Sequence, residues 1–96
     1  MEFEKRIWET IKICEEKFDY KPTIFINMVY EHGMVDAVKR LINTSKPSSG
    51  YTKLWELNAL NLSLEAIILE DEWKNIFTEE ERMKAKKRLK EYGYNV

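Results

Sequence analysis

Residues 2–18, EFEKRIWETIKICEEKF, carry their recurring apolar side chains at Phe3, Ile7, Ile11, Cys14 and Phe18. Steps of three or four positions, at about 100° per residue, gather all five within an arc of roughly 80°, as an amphipathic helix with one buried stripe requires. Cys14 lies inside that stripe and reads as a buried thiol acting as a small hydrophobe. Trp8 lies about 100° off it, so the indole either widens the core face or marks a contact for another chain. No stretch of the chain sustains the period-two alternation of a strand between turn residues. The fold class that follows is all-α.

Downstream of this helix the breakers and caps divide the chain. Asp19-Tyr20-Lys21-Pro22-Thr23 ends the first helix, because proline disfavours helix in the residue before it and is tolerated in a first turn. A second helix starts near Pro22 or Thr23, with Ile24, Phe25, Met28 and Val29 directed inward, and stops at Gly33. Residues 34–43 form a third, with Met34, Val35, Val38, Leu41 and Ile42 on one side and Asp36, Lys39 and Arg40 on the other. Residues 44–50 are the one loop of appreciable length. Tyr51–Leu57 reads as a short helix capped by Ser49 or Thr52, and Asn58 with Asn61 suits the turn after it. Ser63 caps a helix from Leu64 to about Glu70, placing Glu65 at the positive end of the helix dipole. Trp73, Ile76 and Phe77 extend it or add a turn. Thr78-Glu79-Glu80-Glu81 is a capping box that opens the last helix, and Gly93 closes it. The expected architecture is a compact bundle of five or six short helices around a single core, with residues 1–96 as one domain.

Composition narrows the function classes. A chain of 96 residues is near the usual size of one domain. Sixteen Lys and Arg against seventeen Asp and Glu leave a formal charge of -1, so no global field draws the protein to nucleic acid or anionic lipid. One cysteine excludes an internal disulfide framework and a cysteine-based zinc site. The opening residues lead into a charged helix instead of an apolar signal, and the longest apolar run is Ala66–Leu69. A cytoplasmic setting with no membrane association is expected.

Few residues invite chemistry. His32, at a helix end before Gly33, reads as a partner for unpaired carbonyls, since a metal or acid/base role needs convergent groups and Glu31 points elsewhere around the helix. Glu70-Asp71-Glu72 and Glu79-Glu80-Glu81 are contiguous and fan around their helices. There is no phosphate loop, nucleophile elbow, HExxH or calcium loop, so no enzyme activity and no cofactor or metal are expected. The basic residues of the last helix spread over about 240° and leave only the arc of Ala85, Leu89 and Tyr92 for packing. Residues 22–43 can be read as a helix-turn-helix with Lys39 and Arg40 projecting, although Lys39 stands where that motif usually places an apolar residue. The candidate binding residues are therefore Trp8, Lys39, Arg40, Tyr51 and Lys53.

Gly50-Tyr51-Thr52-Lys53-Leu54-Trp55-Glu56-Leu57, Leu62-Ser63-Leu64-Glu65-Ala66, Phe77-Thr78-Glu79-Glu80-Glu81 and Tyr92-Gly93-Tyr94, with Glu31-His32-Gly33 upstream, resemble a recurring small bacterial helical domain family of unassigned function. The likeness spans about residues 20–94. Its members commonly carry Gly-Arg where this chain has Asn58-Ala59, a departure that removes a basic contact from the turn. The resemblance implies a bacterial intracellular setting and supplies no catalytic residue. The expected function is a non-enzymatic protein-interaction or regulatory accessory module whose partner is another protein or a second copy of itself. The alternative is a nucleic-acid-binding accessory protein using residues 22–43.

Overall fold

The computed structural model describes residues 2–96 and is helical. Six α-helices follow one another: α1 (Glu2–Phe18), α2 (Thr23–His32), α3 (Met34–Ile42), α4 (Ser49–Glu56), α5 (Leu64–Ile68) and α6 (Glu79–Glu91). Two 3-10 turns, Leu60–Leu62 and Asp71–Trp73, flank α5, and no strand occurs among the described residues. The chain divides into two compact units, one ending at Ala37 and the other running from Val38 to Val96, so the boundary falls inside α3.

In the first unit α1 buries Phe3, Ile7, Ile11 and Cys14 as its periodicity requires, and adds Thr10. That buried hydroxyl donates to the Arg6 carbonyl one turn back and accepts from the Arg6 guanidinium at 2.6 Å, so its burial leaves no polar atom unpaired. Phe18 is only half-buried. α1 closes at Asp19, whose φ of 52° is left-handed and whose N–H returns to the Glu15 carbonyl. In α2 the inward face differs from expectation: Phe25 and Ile26 are buried, Met28 and Val29 half-buried, and Ile24 is 68 % exposed. α2 is apolar almost all round, from Ile24 through Tyr30, so periodicity cannot choose its buried side. Gly33, at φ 85°, sits between α2 and α3 with its N–H on the Val29 carbonyl.

In the second unit α5 packs chiefly on α6 and on the turn Leu60–Leu62, which α4 also meets. α4 starts earlier than expected: Ser48, not Ser49 or Thr52, is its cap, accepting from the Tyr51 N–H. Gly50 thus enters a helical turn it disfavours by propensity, an example of tertiary placement overriding a weak local preference. Ser63 caps α5, accepting from the Ala66 N–H while donating to the Leu60 carbonyl. α5 stops at Ile68 and not near Glu70, because Glu70 is extended and begins the next turn. The capping box of α6 is complete, with Thr78 accepting from the Glu81 N–H and Glu81 accepting from the Thr78 N–H.

Helices α4 and α6 end in the same way. Asn58 (φ 57°) and Gly93 (φ 82°) are the left-handed residues that follow them. After α4 the Ala59 N–H reaches the Leu54 carbonyl and the Asn58 N–H the Trp55 carbonyl. After α6 the Tyr94 N–H reaches Leu89 and the Gly93 N–H reaches Lys90. Both are Schellman closures, with asparagine supplying at the first what glycine supplies at the second.

Candidate functional site

The two Schellman closures place aromatic and amide side chains together. Trp55 and Asn58 at the end of α4, Leu60 and Asn61 in the following turn, and Tyr92, Gly93 and Tyr94 after α6 line one cleft of about 140 Å³. The Trp55 and Tyr92 rings meet edge to face, 5.5 Å apart and at 86°. Tyr92 also meets Tyr51 in the same manner, at 5.2 Å and 88°. Tyr51 is buried and its hydroxyl donates to the Arg88 carbonyl, so it backs the cleft without lining it. Burial, with the Glu65 carboxylate adding to it, pushes the Tyr51 phenol well above its ordinary range and keeps it neutral. Trp55, by contrast, is 49 % exposed. The cleft lining contains no charged side chain. Its volume is under half that of a pocket enclosing a drug-sized ligand, roughly 300 Å³ or more, so it suits one side chain or a small group.

Of the residues singled out from sequence, Trp8 belongs to the first unit and Lys39, Arg40, Tyr51 and Lys53 to the second. Trp8 is partly exposed in the first unit, its ring 6.5 Å from that of Tyr30, which is itself largely exposed. Lys39 is engaged: its Nζ lies 3.0 Å from the Glu81 carboxylate and 5.4 Å from the centre of the Phe77 ring. Arg40 and Lys53 are on the surface. Tyr51, expected at a binding surface, is 2 % exposed and packs edge to face on Tyr92. Sequence reading missed the grouping of Trp55, Asn58, Asn61, Tyr92 and Tyr94. The signal was present in two aromatic-bearing helix ends, each followed by a residue able to take a left-handed turn.

The basic face of α6 is also less solvated than its wheel implies. Arg88 donates to Glu65 at 2.9 Å, to the Thr44 carbonyl at 2.6 Å and to the Leu41 carbonyl. Arg82 reaches the Ile68 and Leu69 carbonyls. Glu65, expected at the positive end of a helix dipole, is also buried, at 3 % exposed. Burial raises its carboxyl above the ordinary value, and the Arg88 hydrogen bond opposes that rise without cancelling it. For Glu81 the balance reverses: burial raises it, but the Thr78 N–H, the Asn43 amide and Lys39 outweigh burial and hold it down to about 2.

Cys14 is buried, and His32 lies beside two carboxylates. Burial first, and the neighbouring Glu15 second, raise the Cys14 thiol, which keeps it protonated and inert. His32 has two carboxylates nearby, Glu31 at 3.7 Å and Asp36 at 3.9 Å, so Glu31 does turn toward it, contrary to expectation. Among the described residues no group of three His, Cys, Asp or Glu side chains could hold a metal ion, and no helix is long and apolar enough to cross a membrane. No family model, curated protein or solved structure matches this chain.

Proposed function

We propose that this chain is a non-enzymatic protein-interaction or regulatory accessory module, and that the cleft of Trp55, Tyr92 and Tyr94 is its docking point. The observation that carries the reading is a half-exposed tryptophan held edge to face against a tyrosine that also packs edge to face on buried Tyr51. Large aromatic rings fixed before binding lose little entropy on contact, which is why such anchors dominate interface energetics. The exposed Trp8 and Tyr30 pair offers a second, smaller contact in the first unit. Membership in the small bacterial family that residues 20–94 resemble, and a cytoplasmic setting, form part of the proposal.

The test is capture from native lysate by the tagged chain beside its Trp55→Leu and Trp8→Leu variants, with light scattering across concentration for self-association. A partner, or a dimer, whose retention falls at least tenfold with Trp55→Leu supports the reading. Retention of nothing above background, with a concentration-independent monomer, rejects it. The nucleic-acid alternative has one favouring observation, the exposure of Arg40 beyond the Gly33 turn. Lys39, however, would have to give up Glu81 before reaching a phosphate. Salt-dependent mobility shifts of duplex DNA that weaken with Arg40→Ala would favour it over a protein partner.

A further inference from the structure

We infer that the cleft between the ends of α4 and α6 takes the guanidinium of an arginine side chain from a partner protein. The inference rests on the docking role proposed for this cleft and names what enters it.

Three features select the chemistry. The first is electrostatic. A helix C-terminus carries a partial negative charge from its unpaired carbonyls. Each Schellman closure satisfies two carbonyls of its helix, Leu54 and Trp55 in α4, Leu89 and Lys90 in α6. The carbonyls of Glu56, Leu57, Glu91 and Tyr92 accept nothing from the described residues. Two such negative poles flank a cleft whose lining holds no basic side chain, so a cation is favoured there and an anion is not.

The second feature is the rings. Trp55, Tyr92 and Tyr94 line the cleft, with Trp55 and Tyr92 at right angles. A cation within about 6 Å of such a ring is attracted by its quadrupole, most strongly for tryptophan.

The third feature decides among cations. No carboxylate lines the cleft to repay the dehydration of a compact, strongly hydrated ammonium, whereas a guanidinium is weakly hydrated and planar, and stacks on aromatic faces. The Asn58 and Asn61 carboxamides make no hydrogen bond within the described chain, and their oxygens are open acceptors. A guanidinium has five N–H donors for them. A quaternary ammonium has none, so it would use the rings and leave the amides idle.

The probes are three blocked tripeptides, Gly-Arg-Gly, Gly-Lys-Gly and Gly-citrulline-Gly, and tetramethylammonium chloride, titrated at constant ionic strength into the full chain. The readout is the Trp55 indole N–H and the Asn58 and Asn61 side-chain amide signals in 15N correlation spectra. The arginine peptide is expected to shift all three saturably with millimolar affinity, about fivefold or more tighter than the lysine or citrulline peptide. Trp55→Leu, which keeps apolar bulk but removes the ring, is expected to abolish the shifts while the helical circular-dichroism signal persists. Equal binding of the citrulline peptide would show that charge is irrelevant and overturn the inference. Tetramethylammonium binding as tightly as the arginine peptide would overturn the assignment to arginine. No shift with any probe, alongside Trp55-dependent partner capture, would remove arginine while leaving the docking role intact. Saturable arginine binding with partner capture indifferent to Trp55 would leave the arginine site and remove the docking role.

Discussion

Arg88 shows how much one side chain can organise in a small helical protein. Its guanidinium pairs with buried Glu65 and serves the carbonyls of Leu41 and Thr44, which the end of α3 leaves without helical donors. Truncating one member of a buried ion pair strands the other, at a cost of roughly 3–5 kcal/mol. Arg88→Ala should therefore destabilise the protein by about that amount in urea unfolding at pH 7, whereas Glu65→Leu with Arg88→Leu should cost clearly less than the sum of the single changes. The Arg88→Ala deficit should shrink as pH falls, because an isolated buried carboxyl relieves itself by taking a proton. Cys14 gives a simpler expectation. A buried thiol with a raised pKa should react with a thiol-specific chromogenic disulfide only as fast as the native protein opens, and at once in denaturant. Rapid reaction in the native state would contradict the burial.

At the scale of elements, α5 illustrates the reach of its neighbours. A five-residue helix has almost no intrinsic stability, since nucleation costs more than so few hydrogen bonds return. It persists because Ser63 holds its first turn, Arg82 from α6 takes the carbonyls at its end, and Ile67 and Ile68 are buried. The closures of α4 and α6 can be separated by substitution. Asn58→Ala places an ordinary Cβ in left-handed backbone and should cost about 1 kcal/mol, whereas Asn58→Gly should be neutral or slightly stabilising. Thermal melts of the two variants decide it, and a more stable alanine variant would refute the closure as described. Thr78→Ala, which removes the threonine half of the capping box, should likewise cost on the order of 1 kcal/mol.

For the whole molecule the clearest expectation is the dependence of stability on pH. Glu81, held near 2 in the folded state against an ordinary value of 4.5, stabilises the fold above its unfolded pKa and loses that contribution as pH falls from about 4.5 toward 2. A shift of that size corresponds to roughly 3 kcal/mol at most. Glu65 acts in the opposite sense: its raised carboxyl favours the folded state at acid pH, and that contribution is lost as pH rises through its folded value. The two buried glutamates therefore act in opposite senses on the acid limb. Denaturant titrations between pH 7 and 2 should show stability falling into acid, with a shallower fall in Glu81→Gln and a steeper one in Glu65→Gln. An unchanged slope in Glu81→Gln would contradict its network with Thr78, Asn43 and Lys39.

Much of this architecture was legible in the order of residues, because helical phasing, caps and left-handed closers act over a few neighbours. The stripe from Phe3 to Cys14, the Ser63 cap, the Thr78 and Glu81 box and the Gly93 stop are all local interactions, and each stands where the sequence places it. The face of α2 was not legible, since a helix apolar on nearly every side has no periodicity to read. The partners of charges were not legible either. Glu65 meets Arg88 across 23 positions and Lys39 meets Glu81 across 42, distances over which only the packing of helices decides which side chains meet. The same packing joins Trp55 to Tyr92 and turns two separate helix ends into one cleft.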